Sequence, residues 1–139
     1  LDYAMTDGDE FFDAEQNARV VQAAEQYYRA MYHGSVSTWN LRDQHMFSTL
    51  LRLLEQAGPK SKAIVWAHNS HIGNAGATGM GERGEFNIGQ LCREHFGDAV
   101  ASIGFATSTG TVMAADDWGS AAKVKKVIPP GNASLRMRA

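Results

Sequence analysis

Cysteine, proline and long apolar runs are what this chain mostly does without. A single cysteine, Cys92, occurs in 139 residues, so no disulfide framework can hold the fold and a cytoplasmic location is expected. No apolar run comes near the length that spans a bilayer, and the first residues lack the basic, apolar and small-residue pattern of a secretory leader. Positive charge is not in excess either: 13 Lys and Arg stand against 15 Asp and Glu, a formal net charge of -2. That balance argues against nucleic acid as a partner. Lys123, Lys125 and Lys126 do cluster, on what is expected to be one face of an edge strand. The three prolines act as stops, in Gly58-Pro59 after a helix and in Pro129-Pro130 after a strand.

What remains is the composition of one ordinary domain, 44% hydrophobic and able to bury a core. Its ends suggest a piece of a longer protein. The chain starts at Leu1 rather than Met, with Leu1, Tyr3 and Met5 in an extended pattern. It stops at Ser134-Leu135-Arg136-Met137-Arg138-Ala139, which has the form of a helix cut off after its N-cap.

Between those ends the pattern alternates helices and strands. Asp13 can cap a helix over residues 13–33, with Val21, Ala24, Tyr28 and Met31 on its apolar face, closed by Gly34. A second helix is expected from residue 39 or 40 to 57, with the stripe Met46, Leu50, Leu53, Leu54 and Ala57. Apolar runs at 62–67 and 100–105 read as buried strands of a parallel sheet, separated by a short helix that Asn87 opens and Gly97 closes. Thr107-Ser108-Thr109-Gly110 turns the chain into a hairpin partner at 111–115, and after another turn 123–128 reads as an edge strand. The fold class that follows is α/β: an αβαβ unit with an appended β-hairpin, part of a larger three-layer domain. The strands at 62–67 and 100–105 should be parallel, because a helix crosses between them.

The stretch that carries most chemical meaning is Trp66-Ala67-His68-Asn69-Ser70-His71. Two imidazoles stand where the first apolar run gives way to a loop with Gly73, Gly76, Gly79, Gly81 and Gly84. In open α/β sheets, ligands bind outside the carboxyl ends of strands, and imidazole exchanges protons near neutral pH. His68 and His71 are therefore the candidate catalytic pair, against the plainer alternative that one caps the next turn and the other is a satisfied core residue. His71 lies deeper in the loop with better access and is expected to be the base; His68, next to the strand, is expected to be more constrained and to orient or hold. Asn69, between them, is expected to bind substrate. Gly79-Met80-Gly81-Glu82-Arg83-Gly84 is not a nucleotide loop, since no long helix follows it. Met80 and Gly81 are instead expected in the wall or lid of a substrate cleft. A zinc site taking Glu82 or Glu85 as third ligand is the metal alternative, but the spacing is not the helical HExxH pattern. No cofactor is expected.

Arg42, Asp43 and His45 fall in the first turn of the second helix as placed above. Asp43 suits the macrodipole there and makes a capping pair with Asn40. Arg42 does not suit it, which points its guanidinium at a carboxylate or at substrate. Ser102 and Ser108 lack a GxSxG elbow, and Cys92 belongs to the core.

Several blocks together resemble the erythromycin esterase family: Phe11-Phe12-Asp13-Ala14-Glu15-Gln16-Asn17-Ala18-Arg19, Trp39-Asn40-Leu41-Arg42-Asp43-Gln44-His45-Met46, Val65-Trp66-Ala67-His68-Asn69-Ser70-His71, Asn87-Ile88-Gly89-Gln90-Leu91, Gly110-Thr111-Val112 and Asp117-Trp118-Gly119. The resemblance implies an α/β hydrolase of esters, including the macrolactone of macrolide antibiotics. It implies water activated by histidine and glutamate without a covalent acyl-enzyme, with His68 and His71 in the cleft. It also implies that a further histidine and acidic groups come from an N-terminal half, so that residues 1–139 are the C-terminal portion of one domain and the missing half is its partner. Many relatives carry other labels, so macrolide hydrolysis is one activity among several. A non-catalytic ligand-binding or scaffold role and a metal-dependent hydrolase stand as alternatives.

Overall fold

The computed structural model describes residues 8–32, 34–117 and 119–129. The opening Leu1, Tyr3, Met5 segment and the cut-off helix at Ser134 lie outside the described residues. The chain divides into two compact units, one reaching Gly104 and one starting at Phe105.

The first unit begins with two long helices, α1 (Gly8–Ala30) and α2 (Ser35–Ala57). α1 starts five residues before the expected Asp13 cap, so Asp13 lies within it. Asp9 and Glu10 supply the first-turn negative charge and Arg29 the last-turn positive charge. The ion pairs Glu15–Arg19 and Glu25–Arg29 span one turn each. The expected apolar face is mostly turned outward: Val21, Tyr28 and Met31 are exposed, and Ala24 of that face is half-buried. The half-buried face carries Gln16, Arg19, Ala23 and Tyr27. α2 is the neighbour on this side, with Arg19 and Ala23 in the cleft between the two helices. A polar cleft of about 160 Å³ between the helices is lined by Arg19, Gln22, Gln26, Gln44, His45 and Arg52.

α2 starts at Ser35, not at residue 39 or 40. Gly34, expected to close the first helix, is instead the residue before α2, at φ 130°, which favours glycine. The helix stops at Gly58 (φ 90°), whose N–H reaches back to the carbonyls of Leu54 and Glu55, and Pro59 follows. Phe47 of α2 packs with Ile88 and Cys92 of α5 (Ile88–Phe96) to form the core, with Met46, Leu50, Leu51, Leu91, Phe96 and Val100 around it. Leu53, expected on the buried stripe, is half exposed. α5 matches its sequence signals closely. Asn87 caps it through Oδ1 accepting from Gln90 N–H at 2.9 Å, and Gly97 at φ 55° follows its last residue.

Residues 68–86, expected as an irregular loop, hold three single turns: α3 (Asn69–Ile72), a 3₁₀ turn (Ala75–Ala77) and α4 (Gly79–Glu82). A glycine-rich run can wind this tightly because backbone meets backbone. A Cβ on Gly81 would lie 2.8 Å from Gly76 Cα.

The strands expected at 62–67 and 100–105 do not form a ladder, parallel or otherwise, among the described residues. A strand exists only through a ladder of hydrogen bonds to a neighbour, and the ladder among the described residues is that of the hairpin. Ile64 (92%) and Ile103 (70%) are correspondingly open. The described sheet lies in the second unit and is the hairpin: β1 (Thr111–Ala114) pairs antiparallel with β2 (Lys123–Lys126), Thr111 opposite Lys126 and Ala114 opposite Lys123. Lys123 and Lys125 both meet Asp116. The fold is thus mixed, helical with a two-stranded antiparallel sheet.

Candidate active site

α2 positions the site by gripping the backbone that leads into α5. Trp39 donates its indole N–H to the Phe86 carbonyl at 2.7 Å. Asn40 donates to the Gly84 carbonyl at 2.9 Å and accepts from Phe86 N–H at 3.0 Å. One turn on, Asp43 Oδ1 accepts from Ile88 N–H at 3.0 Å. Trp39 and Asp43 are four apart and share a helix face, so a single face of α2 straps residues 84–88 and presents a carboxylate to the N-terminus of α5.

That carboxylate is fully buried, at 0% exposure. Burial of a charge demands partners, and among the described residues the one besides Ile88 N–H is His71, whose Nδ1 lies 3.0 Å from both carboxylate oxygens. The imidazole stacks on Trp39 with centroids 4.7 Å apart and planes 6° from parallel. The Arg42 guanidinium carbon sits 4.9 Å from the Trp39 ring centroid, a cation–π contact. One fifth of the His71 side chain is exposed. Nε2 has no protein partner among the described residues and is not sealed from solvent.

α3, which carries His71, is closed by one bond of its own and tied to α5 by two contacts. His71 N–H bonds the His68 carbonyl at 2.8 Å and closes the turn. Asn87, 1% exposed, donates to the Ser70 carbonyl at 2.7 Å. Gly89 lets the two backbones touch. His68 is the N-cap of α3, its Nδ1 accepting from Ser70 N–H at 3.2 Å with Ser70 Oγ at 3.0 Å.

The expected exposure of the two histidines is reversed. His68 is the exposed one and makes the capping contact of the plainer alternative. His71 is held by a carboxylate and a stacked ring rather than mobile in a loop. Arg42 is exposed and beside the same tryptophan; among the described residues it meets no carboxylate. Asn69 is exposed, its side-chain oxygen 3.7 Å from where a Cβ on Gly104 would stand. Met80 and Gly81 show no hydrogen bond or ring contact with His71, and the close approach to Gly76 accounts for Gly81 by itself. His45 lines the α1–α2 cleft, away from this grouping. Among the described residues no three His, Cys, Asp or Glu side chains gather as a metal site. Glu85 pairs with Arg83 at 2.8 Å.

Sequence reasoning missed Asp43 because it placed the start of α2 too late and so assigned the residue to a cap. In the actual helix Asp43 lies in the third turn, where an acid gains nothing from the dipole of its own helix. The signal was the Trp39 and Asp43 spacing within a longer helix.

A buried carboxylate and a largely shielded imidazole, its Nε2 without a partner among the described residues, are groups able to exchange a proton. The chain belongs to the erythromycin esterase family, whose model matches residues 1–138. The family is one of esterase-like hydrolases. No solved structure matches the chain. No helix of the described residues is long and apolar enough to cross a membrane.

Proposed function

We propose that this chain supplies the histidine side of an ester-hydrolysing site, in which His71 takes a proton from the attacking water at Nε2. The observation that carries this reading is the state of His71: one ring nitrogen committed to Asp43, the ring plane held against Trp39, and the other nitrogen without a protein partner. A general base must be oriented and within reach of its proton. As Nε2 removes the proton, the water oxygen attacks the ester carbonyl. Return of that proton to the departing alkoxide gives acid and alcohol. Arg42 borders the same tryptophan and is suited to the oxyanion or to an anionic group of the substrate. His68, Asn69, Met80 and Gly81 are proposed around the substrate.

The substrate is a small carboxylic ester, and a macrolide lactone is the finer proposal, which would connect the protein to antibiotic resistance. The remaining acid and base groups are proposed to come from an N-terminal half of the same domain, whose strands would also pair with residues 62–67 and 100–105 in the sheet of a three-layer α/β domain. The 139-residue chain alone is therefore expected to be inactive, because base, orienting group and oxyanion donors must act together.

The test is turnover of aryl esters and of a macrolide by the full-length protein, with and without chelator. Hydrolysis that survives chelation supports the reading. Loss with chelator would replace it by metal-dependent hydrolysis, and no turnover of any ester would leave a ligand-binding role.

A further inference from the structure

We propose that Asp43 is the positioning residue of this site: its buried carboxylate places the proton of the neutral His71 ring on Nδ1 and so keeps Nε2 as the lone-pair nitrogen. The inference rests on the proposed role of His71 and deepens it by naming an orienting carboxylate within this chain.

For an ionised Asp43 and a neutral ring, one arrangement satisfies this geometry. An ionised carboxylate accepts and cannot donate. Both oxygens of Asp43 face Nδ1 at 3.0 Å, so an unprotonated Nδ1 would set lone pair against lone pair in a fully buried place. Proton on Nδ1 resolves this, and in the neutral ring Nε2 is then the acceptor. The carboxylate is itself oriented independently of His71, because Oδ1 also accepts from Ile88 N–H at the first position of α5. Trp39 fixes the remaining freedom, rotation of the ring out of plane, and is in turn anchored to the Phe86 carbonyl. Two residues of one α2 face thus define both the tautomer and the orientation of a side chain carried by α3.

A carboxylate kept for stability alone would give the same burial and the same hydrogen bonds, so the test must read the ring. In the full-length protein, long-range ¹H–¹⁵N correlation of His71, at a pH where the ring is neutral, should show Nδ1 protonated and Nε2 unprotonated. In Asp43→Asn, the new amide oxygen can still accept from Ile88 N–H, while its NH₂ turns toward Nδ1 and donates. The tautomer should then invert, with Nε2 protonated. With 4-nitrophenyl acetate as substrate, kcat should fall by about 10²-fold or more while KM stays near its original value, as for a base held in the wrong tautomer.

Nε2 protonated in the unaltered protein would overturn the inference, as would Asp43→Asn leaving tautomer and kcat unchanged. Should Asp43→Asn fail to fold, the spectrum of the unaltered protein decides alone. If the tautomer is as expected and inverts in the variant, yet no ester is hydrolysed, the role of Asp43 stands and the hydrolase reading falls.

Discussion

Gly89 lies so close to Ile72 that a Cβ on it would stand 2.2 Å from the Ile72 carbonyl oxygen, and equally close to that of Gly73. No side chain fits there, and neither partner can yield, since both are backbone at the end of the turn that carries His71. Gly89→Ala is therefore expected to destabilise the fold by ~1–3 kcal/mol or more. It should also lower ester turnover beyond what the stability loss explains, because His71 moves with its turn. Urea denaturation and kcat measured well below the melting temperature check both; an unchanged midpoint would mean the two backbones do not pack this way.

Replacing His71 separates chemistry from architecture. His71→Ala removes the base and also strips Asp43 of a partner, so kcat should drop by about 10²-fold or more together with a loss of stability. His71→Gln can still donate an amide hydrogen to Asp43, so it should recover stability while remaining inactive. Near-full turnover in either folded variant would remove His71 from the mechanism.

His68 should behave as a cap first. His68→Ala is expected to cost ~0.5–2 kcal/mol, the range for losing an N-cap, and His68→Asn to restore most of it, since Asn accepts from the same Ser70 N–H. Activity that follows stability through this series would give His68 a structural role; a loss of kcat in the stable Asn variant would instead place it against the substrate.

Cys92 offers a test by titration. Burial pushes its thiol above the ordinary 9.0 by penalising the thiolate. Alkylation by iodoacetamide in the folded state should therefore be slower at every pH below its titration than in denaturant, and its rate should rise only at higher pH. Because the unfolded thiol ionises first, this group's contribution to stability is complete below about pH 9 and diminishes as pH climbs from there toward the folded value. Equal alkylation rates in folded and denatured protein would contradict the burial of Cys92 beside Phe47 and Ile88.

Local signals in the sequence decided local structure well. Asn87 and Gly97 bracket α5, Gly58-Pro59 ends α2, and strands form within the segments expected at 111–115 and 123–128, because caps, breakers and short antiparallel pairs depend on residues near each other in the chain. The His-Asn-Ser-His block marked the candidate site, and its family was readable from blocks spread along the whole chain. What the sequence could not decide was anything that needs a partner distant in the chain. The apolar runs at 62–67 and 100–105 have strand composition, yet no ladder among the described residues, since pairing belongs to two segments and not to one. The packed face of α1 was misjudged for the same reason: the neighbour, not the hydropathy of the helix, decides which side is covered. Asp43 shows it most sharply. In the sequence it is one acid among fifteen Asp and Glu. Folding alone brings it against His71, 28 residues further on, and low-dielectric burial is what makes that one contact able to orient a proton.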